Sequence, residues 1–205
     1  MGKTNVRVLA AVLLALFAVP SIAQMGFSES FRFLKAVRER DCETVDSITS
    51  NASSVAINAR DQATGEGALH ILVRGRDLNW LGFLLSRGAR ADLPSNDGTT
   101  PLMLAAQIGW RDGAERLITR RANVNMANNR GETALILAVQ RNDVPMVRLL
   151  MSQGANPDQT DSIAGYSALD YARQDRRRAG VLRVLEGTDR QGQAAGPDEA
   201  GEPQP

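Results

Sequence analysis

The sequence predicts an all-α fold, a solenoid of stacked helix pairs, and three observations predict it. The chain is 43% apolar but only 4% aromatic, so a core must be built from Leu, Ile, Val and Ala. A glycine-led segment recurs along the chain at steps of 33, 33 and 34 residues, from Gly65 to Gly98, Gly131 and Gly165. Between recurrences, apolar residues fall at helical spacing.

Residues 1–23 read as an export address. Lys3 and Arg7, with no acid, precede an unbroken apolar run from Val8 to Val19. Pro20 ends the run, and Ser21-Ile22-Ala23 puts small residues at the two positions a signal peptidase pocket requires. This order describes a secretory signal peptide. The run is about a dozen residues, whereas a spanning helix needs about 20. Cleavage after Ala23 and a mature start at Gln24 are therefore expected, in a bacterial periplasm or outside the cell. An inner-membrane anchor formed by an uncleaved signal is the alternative. No Cys follows the cleavage point, which excludes a lipid anchor there.

Residues 24–61 carry a weaker helical pattern. Phe33, Leu34, Ala36 and Val37 suit a first helix, Val45 and Ile48 a second, and Ile57-Asn58-Ala59 a strand-like ending. Cys42 is the single cysteine, so no intramolecular disulfide and no thiolate metal site can form. It reads as a small buried residue of this helix pair. Asn51-Ala52-Ser53 matches a glycosylation sequon, a frequent chance match that a bacterial host would leave unmodified.

Residues 62–186 hold the regular units. Gly65-Glu66-Gly67-Ala68-Leu69-His70, Gly98-Thr99-Thr100-Pro101-Leu102-Met103, Gly131-Glu132-Thr133-Ala134-Leu135-Ile136 and Gly165-Tyr166-Ser167-Ala168-Leu169-Asp170 align. A second series, at Gly88, Arg121 and Gly154, keeps the same step. The opening Gly permits a tight turn, and Thr100 and Pro101 suit a helix start. Leu102, Ala105 and Ala106 then share one helical face. Val147, Leu149, Leu150 and Met151 form the face of a second helix, which Gly154 ends. Gly67 stands where a helix-opening Thr is expected, predicting a looser turn. Arg121 stands where Gly ends the helix, predicting strain if its backbone is left-handed.

This pattern resembles the ankyrin repeat, whose unit is two antiparallel helices followed by an extended hairpin loop. The resemblance implies a degenerate capping repeat at 24–61, three fuller repeats, and a C-terminal unit with Val181, Leu182, Val184 and Leu185 in its second helix. Arg176-Arg177-Arg178 beside that helix then reads as a solvated outer face. The resemblance also implies that His70, and Asp170 at the same place, brace neighbouring loops. Residues 187–205 lack every large apolar side chain and read as a disordered tail.

Catalytic constellations are missing from the sequence. His70 is the sole histidine, the carboxylates form no paired spacing, and no Gly-rich stretch carries the Lys-Ser or Lys-Thr of a phosphate loop. No enzyme activity, cofactor or metal is expected. Trp80 reads as core packing, whereas Trp110 suits either a packed residue or an exposed anchor. The charge is near balance, with 24 basic and 23 acidic residues, which argues against nucleic acid.

In ankyrin repeats the loop tips and first helices form a concave surface that binds protein partners. Carried onto this chain, that surface comprises Thr64, Glu66 and Arg74; Asp97, Thr99 and Gln107; Arg130, Glu132, Gln140 and Arg141; and Tyr166 and Gln174. A monomeric module binding an unidentified protein, as a scaffold, protective or inhibitory partner, is the expected function. A secreted effector acting on host or competitor proteins is the alternative.

Overall fold

A computed structural model describes residues 22–50 and 55–187, with the side chains of 29–50 and 56–187. Most of the proposed signal peptide, the sequon and almost all of the proposed tail lie outside the described residues. Among the described residues, ten α-helices form five successive pairs: α1 Ile22–Glu39 with α2 Cys42–Thr49, α3 Ala68–Arg74 with α4 Leu78–Ser86, α5 Pro101–Ile108 with α6 Arg111–Thr119, α7 Ala134–Gln140 with α8 Val144–Ser152, and α9 Ala168–Gln174 with α10 Ala179–Leu185. The first helices α1, α3, α5, α7 and α9 pack on one another in order, and α4, α6, α8 and α10 do the same behind them.

The two helix types bury different fractions of themselves because they occupy different places in the stack. Pro101 to Ala106 of α5 and Ala134 to Val139 of α7 are buried without a break. Each of these helices is covered by two neighbours and by its own second helix. Ala105 and Ala138 are fully buried, small enough to let adjacent helices approach closely. Second helices bury one stripe only, such as Met146, Val147 and Leu150 in α8. Their opposite face meets solvent.

Six helix starts are fixed by side-chain caps. Thr100, Thr133 and Ser167 accept the amides of Met103, Ile136 and Asp170 at 3.3, 3.2 and 3.1 Å. Asp41, Asp77 and Asp143 cap the second helices through Thr44, Trp80 and Met146, each at 3.0 Å. Each cap contributes about 1 kcal/mol. Helix α6 has no side-chain cap; instead Trp110 is buried at its start, with Gly113 pressed on the indole. A Cβ at Gly113 would lie 2.1 Å from the ring, so Trp110 is a packed residue.

Arginines close the other ends. Arg40 donates to Val37 O at 2.6 Å, Arg76 to Ile108 O at 2.8 Å, Arg141 to Gln107 O at 3.4 Å and Arg178 to Gln140 O at 3.4 Å. These carbonyls belong to the last turns of first helices, where free acceptors and the negative end of the helix dipole coincide. Three of the four bonds cross from one unit to the next.

Three expectations require correction. Cys42 is exposed, because it is the first residue of α2 and its side chain points past the helix start. Val55–Asn58 is a 3-10 turn rather than a strand-like ending; the amide of Ala59 returns to Ala56 O at 2.8 Å. Gly67 is no looser than its counterparts: at φ −94° and ψ −179° it follows the path of Thr100 and Thr133, and it is buried. A Cβ there would meet Leu93 Cδ2 at 2.7 Å, so glycine permits a close approach. Trp80 packs against the core as expected, half-buried, set edge-on to Phe83 at 5.6 Å with the Arg40 guanidinium 5.9 Å from its ring. Arg121 adopts the left-handed backbone, at φ +65°.

Candidate protein-binding face

Four hairpin tips project beside the first helices. Each is closed at its base by a backbone hydrogen bond: Asp61 N to Glu66 O, Ser95 N to Thr99 O, Asn128 N to Glu132 O and Asp161 N to Tyr166 O, at 2.8, 2.9, 3.0 and 3.0 Å. The first and last tips thus hold one more residue than the middle pair. Isolated bridges between Arg60 and Gly67, Ala127 and Thr133, and Thr160 and Ser167 anchor three of them at the base.

The tips are joined into a ladder. Asn96 N donates to Thr64 O at 2.9 Å, Asn129 N to Asp97 O at 3.0 Å and Ser162 N to Arg130 O at 2.8 Å. Asn side chains add parallel bonds, from Asn96 to Ala63 O and from Asn129 to Asn96 O, both at 3.0 Å. A glycine beside each rung allows this proximity. At Gly131 the backbone is left-handed, φ +76°, and a Cβ would lie 2.6 Å from Ser162 N.

The proposed binding residues take three kinds of position. Thr64, Glu66, Asp97, Thr99, Arg130, Glu132 and Tyr166 all lie on the tips and are brought together by the ladder. The Asp97 carboxylate accepts the hydroxyls of Ser95 and Thr99 at 2.5 and 2.9 Å, bonds that hold it below the usual carboxylate range, the Ser95 bond foremost. Glu132 accepts from Asn128 at 2.8 Å and pairs with Arg130 at 2.7 Å. Arg74, from the last turn of α3, reaches back along its helix to Glu66, and this bond raises the guanidinium's pKa. In these pairs the carboxylates are mostly covered, 21% and 13% exposed, while the guanidiniums stand out at 58% and 56%.

Gln107, Gln140 and Gln174 occupy the place of Arg74 in later units. Gln107 and Gln174 are exposed and Gln140 is half-buried. Arg141 is directed elsewhere: it bridges the helix ends, toward Gln107 O and, at 4.0 Å, Asp143.

His70 is 1% exposed and serves the tips. Its Nδ1 accepts the Gly67 amide at 3.2 Å, which leaves the proton on Nε2 to be donated to Thr99 O at 2.9 Å. Burial, foremost, holds the imidazole below its ordinary pKa. Both ring nitrogens are spent within the fold. Asp170 plays the local part of this role in the last unit, accepting the Ser167 amide and hydroxyl at 3.0 and 2.7 Å.

The last tip differs from the rest. Asp161, 4% exposed, accepts the amides of Ile163, Ala164 and Gly165 at 2.9, 2.7 and 3.2 Å and the Tyr171 hydroxyl at 2.6 Å. Desolvation pushes this carboxyl up, but the Tyr171 hydroxyl and the three amides together hold it below its usual range. The organised tip presents Ile163, 72% exposed, and Tyr166, 41% exposed and stacked edge-on to Tyr171 at 5.6 Å. Ile163 is an aliphatic residue among polar and aromatic tip residues, so its type does not mark it as part of the face. Its place one residue beyond the Asn96–Asn129–Ser162 series is the signal that locates it.

A family model for ankyrin repeats in three copies matches residues 33–128 and again 108–191. The chain belongs to the ankyrin-repeat family. It is 37% identical over 142 residues, 69% of its length, to an ankyrin repeat-containing protein of Treponema pallidum (strain Nichols), and covers 46% of that protein. It is also 37% identical over 117 residues, 55% of its length, to a Danio rerio protein named as palmitoyltransferase ZDHHC13, and covers 18% of it. This ankyrin-repeat chain therefore spans less than half the length of both relatives. Ankyrin repeats are protein-interaction modules, generally without enzymatic activity. Among the described residues, no helix is long and apolar enough to cross a membrane.

Proposed function

We propose that this ankyrin-repeat protein is an exported, monomeric module that binds one envelope protein through its tips and the adjoining first helices, acting as a scaffold or a protective or inhibitory partner. Residues 1–23 would direct export to the periplasm, 24–61 would cap the array, 62–186 would carry the binding units, and 187–205 would extend beyond them. Catalysis, a cofactor and nucleic acid have no part in this reading.

The tip ladder supports it best. Binding loses least when a surface is already ordered, and here each tip is bonded to the next through the backbone. On this rigid comb stand side chains of the types that dominate interface energies, Tyr166, Arg74 and Arg130, with Ile163 beside them. Truncating such a residue costs at least about 1–2 kcal/mol when it lies in an interface centre, about a tenfold or greater loss of affinity.

The test uses mature protein, from Gln24, as bait for the envelope fraction of its host. A variant carrying Arg74→Ala, Ile163→Ser and Tyr166→Ala serves as control. The expected result is a specific prey recovered by the parent and lost by the variant, with equal helicity by circular dichroism. Equal recovery by both proteins would remove the tip face from consideration. Fractionation of the host checks export: retention of the chain in the cytoplasm at full length overturns that part.

A further inference from the structure

We propose that acid opens the stack at one place, the junction between the first and second tips, with His70 as the trigger. The consequence for binding rests on the reading of the tips as the binding face; the opening itself does not.

The geometry around His70 admits only the neutral ring. Gly67 N–H points at Nδ1 from 3.2 Å, and the Nε2 proton points at Thr99 O from 2.9 Å. Protonation would place the ring's second hydrogen on Nδ1, directly against the Gly67 hydrogen. Two donors cannot share that line, so the Gly67 contact must break. Nor has Gly67 room for a relaxed detour, since Leu93 Cδ2 fills the space beside its Cα. When the ring turns to release its new charge to water, the Thr99 bond is lost with it. Thr99 O belongs to the second tip, whose Asn96 supplies the first ladder rung.

The charges facing the ring do not rescue the cation. The bond to Thr99 O, Glu66 and Asp97 favour it and Arg74 opposes it, and the loss of hydration outweighs the three that favour it. Glu66 is already matched by Arg74, and Asp97 by the hydroxyls of Ser95 and Thr99. From the packed helices, α5 and α4 carry no charged side chain, and Lys35 and Arg38 of α1 pair with Glu39 and Asp61. Burial therefore prevails, and the folded pKa lies below the ordinary 6.5. A base whose folded pKa is depressed stabilises its contact fully above the unfolded value and loses that contribution as pH falls below it.

Only this junction has the trigger. The places equivalent to His70 hold Met103, Ile136 and Asp170. The first two do not titrate, and the Asp170 carboxyl is held below its usual range by its bonds to Ser167, far from the imidazole window. The junctions at Asn129 and Ser162 are thus insensitive to mild acid, and nearest-neighbour coupling in a repeat stack lets one junction open while others stay closed.

Amide exchange by NMR, corrected for the intrinsic pH dependence of exchange, reads the three rungs separately in one sample. Between pH 7 and 5.5 the protection of the Asn96 amide should fall relative to Asn129 and Ser162, by at most about tenfold, the limit set by protonating one imidazole in the open form only. In His70→Gln the Asn96 amide should show no such pH dependence. Equal loss at all three rungs, or an unchanged Asn96, would overturn the proposal. Should His70→Gln fail to fold, the comparison of rungs in the parent decides alone. No partner enters the measurement, so its outcome is independent of whether the tips bind a protein.

Discussion

Replacing Arg121 by glycine should stabilise the fold, and the size of the gain can be worked from its two counterparts. Gly88, Arg121 and Gly154 end α4, α6 and α8 with φ of +90°, +65° and +81°. The bonding around them is repeated: Ala89 N to Leu84 O at 3.0 Å, Ala122 N to Leu117 O at 3.1 Å and Ala155 N to Leu150 O at 3.0 Å. The three backbones thus do the same work, but only Arg121 carries a Cβ in a left-handed conformation. That conformation costs about 1–2 kcal/mol for a residue other than glycine. Glycine returns about 0.4–1 kcal/mol of this through the greater freedom of the unfolded chain. A net gain of about 0.5–1 kcal/mol follows, worth about 1–4 °C in Tm for a domain of this size. The reciprocal change, Gly154→Ala, has open space for its methyl, so any loss comes from the backbone alone. It should destabilise by a similar amount. Urea titration followed by circular dichroism gives both values, as shifts of midpoint at constant slope. If Arg121→Gly lowers the midpoint while Gly154→Ala leaves it unmoved, the left-handed backbone is not the source of strain.

Two further substitutions or modifications probe features absent from that comparison. Gly131→Ala should cost more than Gly154→Ala, about 2 kcal/mol or above, because its methyl meets Ser162 N at 2.6 Å as well as the backbone penalty; exchange of the Ser162 amide should accelerate with the loss, and a cost equal to that of Gly154→Ala would show that the rung adapts. Cys42, exposed at the start of α2, should react stoichiometrically with a maleimide in the native protein; labelling that appears only after urea is added would place the thiol inside instead.

The helix pairs were legible in the sequence because their signals are local. Thr100 with Pro101, Thr133 and Ser167 mark starts, and unbroken apolar runs mark helices enclosed on every side. Errors arose where a residue's type and its position disagree. Cys42 is small and apolar, traits of the interior, yet the first residue of a helix has no preceding turn to cover it. Ile57 has the character of a strand residue, but the chain from α2 must turn there before reaching the first tip. Of the candidate face, the tip residues were legible from periodicity. Side-chain direction was not: Arg74 and Arg141 look alike in the sequence, and only the carboxylate at Glu66 and the carbonyl at Gln107 send them different ways. The ladder itself left a trace, since Asn96, Asn129 and Ser162 recur at 33-residue steps. That trace concerns bonds between units, which no single unit can reveal.

The bonded tips also act as a ruler. Adjacent first helices sit about 8–10 Å apart, so the tips begun by Asp61, Ser95, Asn128 and Asp161 are spaced along about 25–30 Å. An extended polypeptide covers that distance in about eight or nine residues, and an α-helix in about 17 to 20. Because each gap is set by backbone bonds and not by adaptable side chains, a ligand would have to match this length to touch the Glu66 end and the Ile163 end together. Removing one internal unit would shorten the reach by a fixed step, and with it the size of what can be grasped.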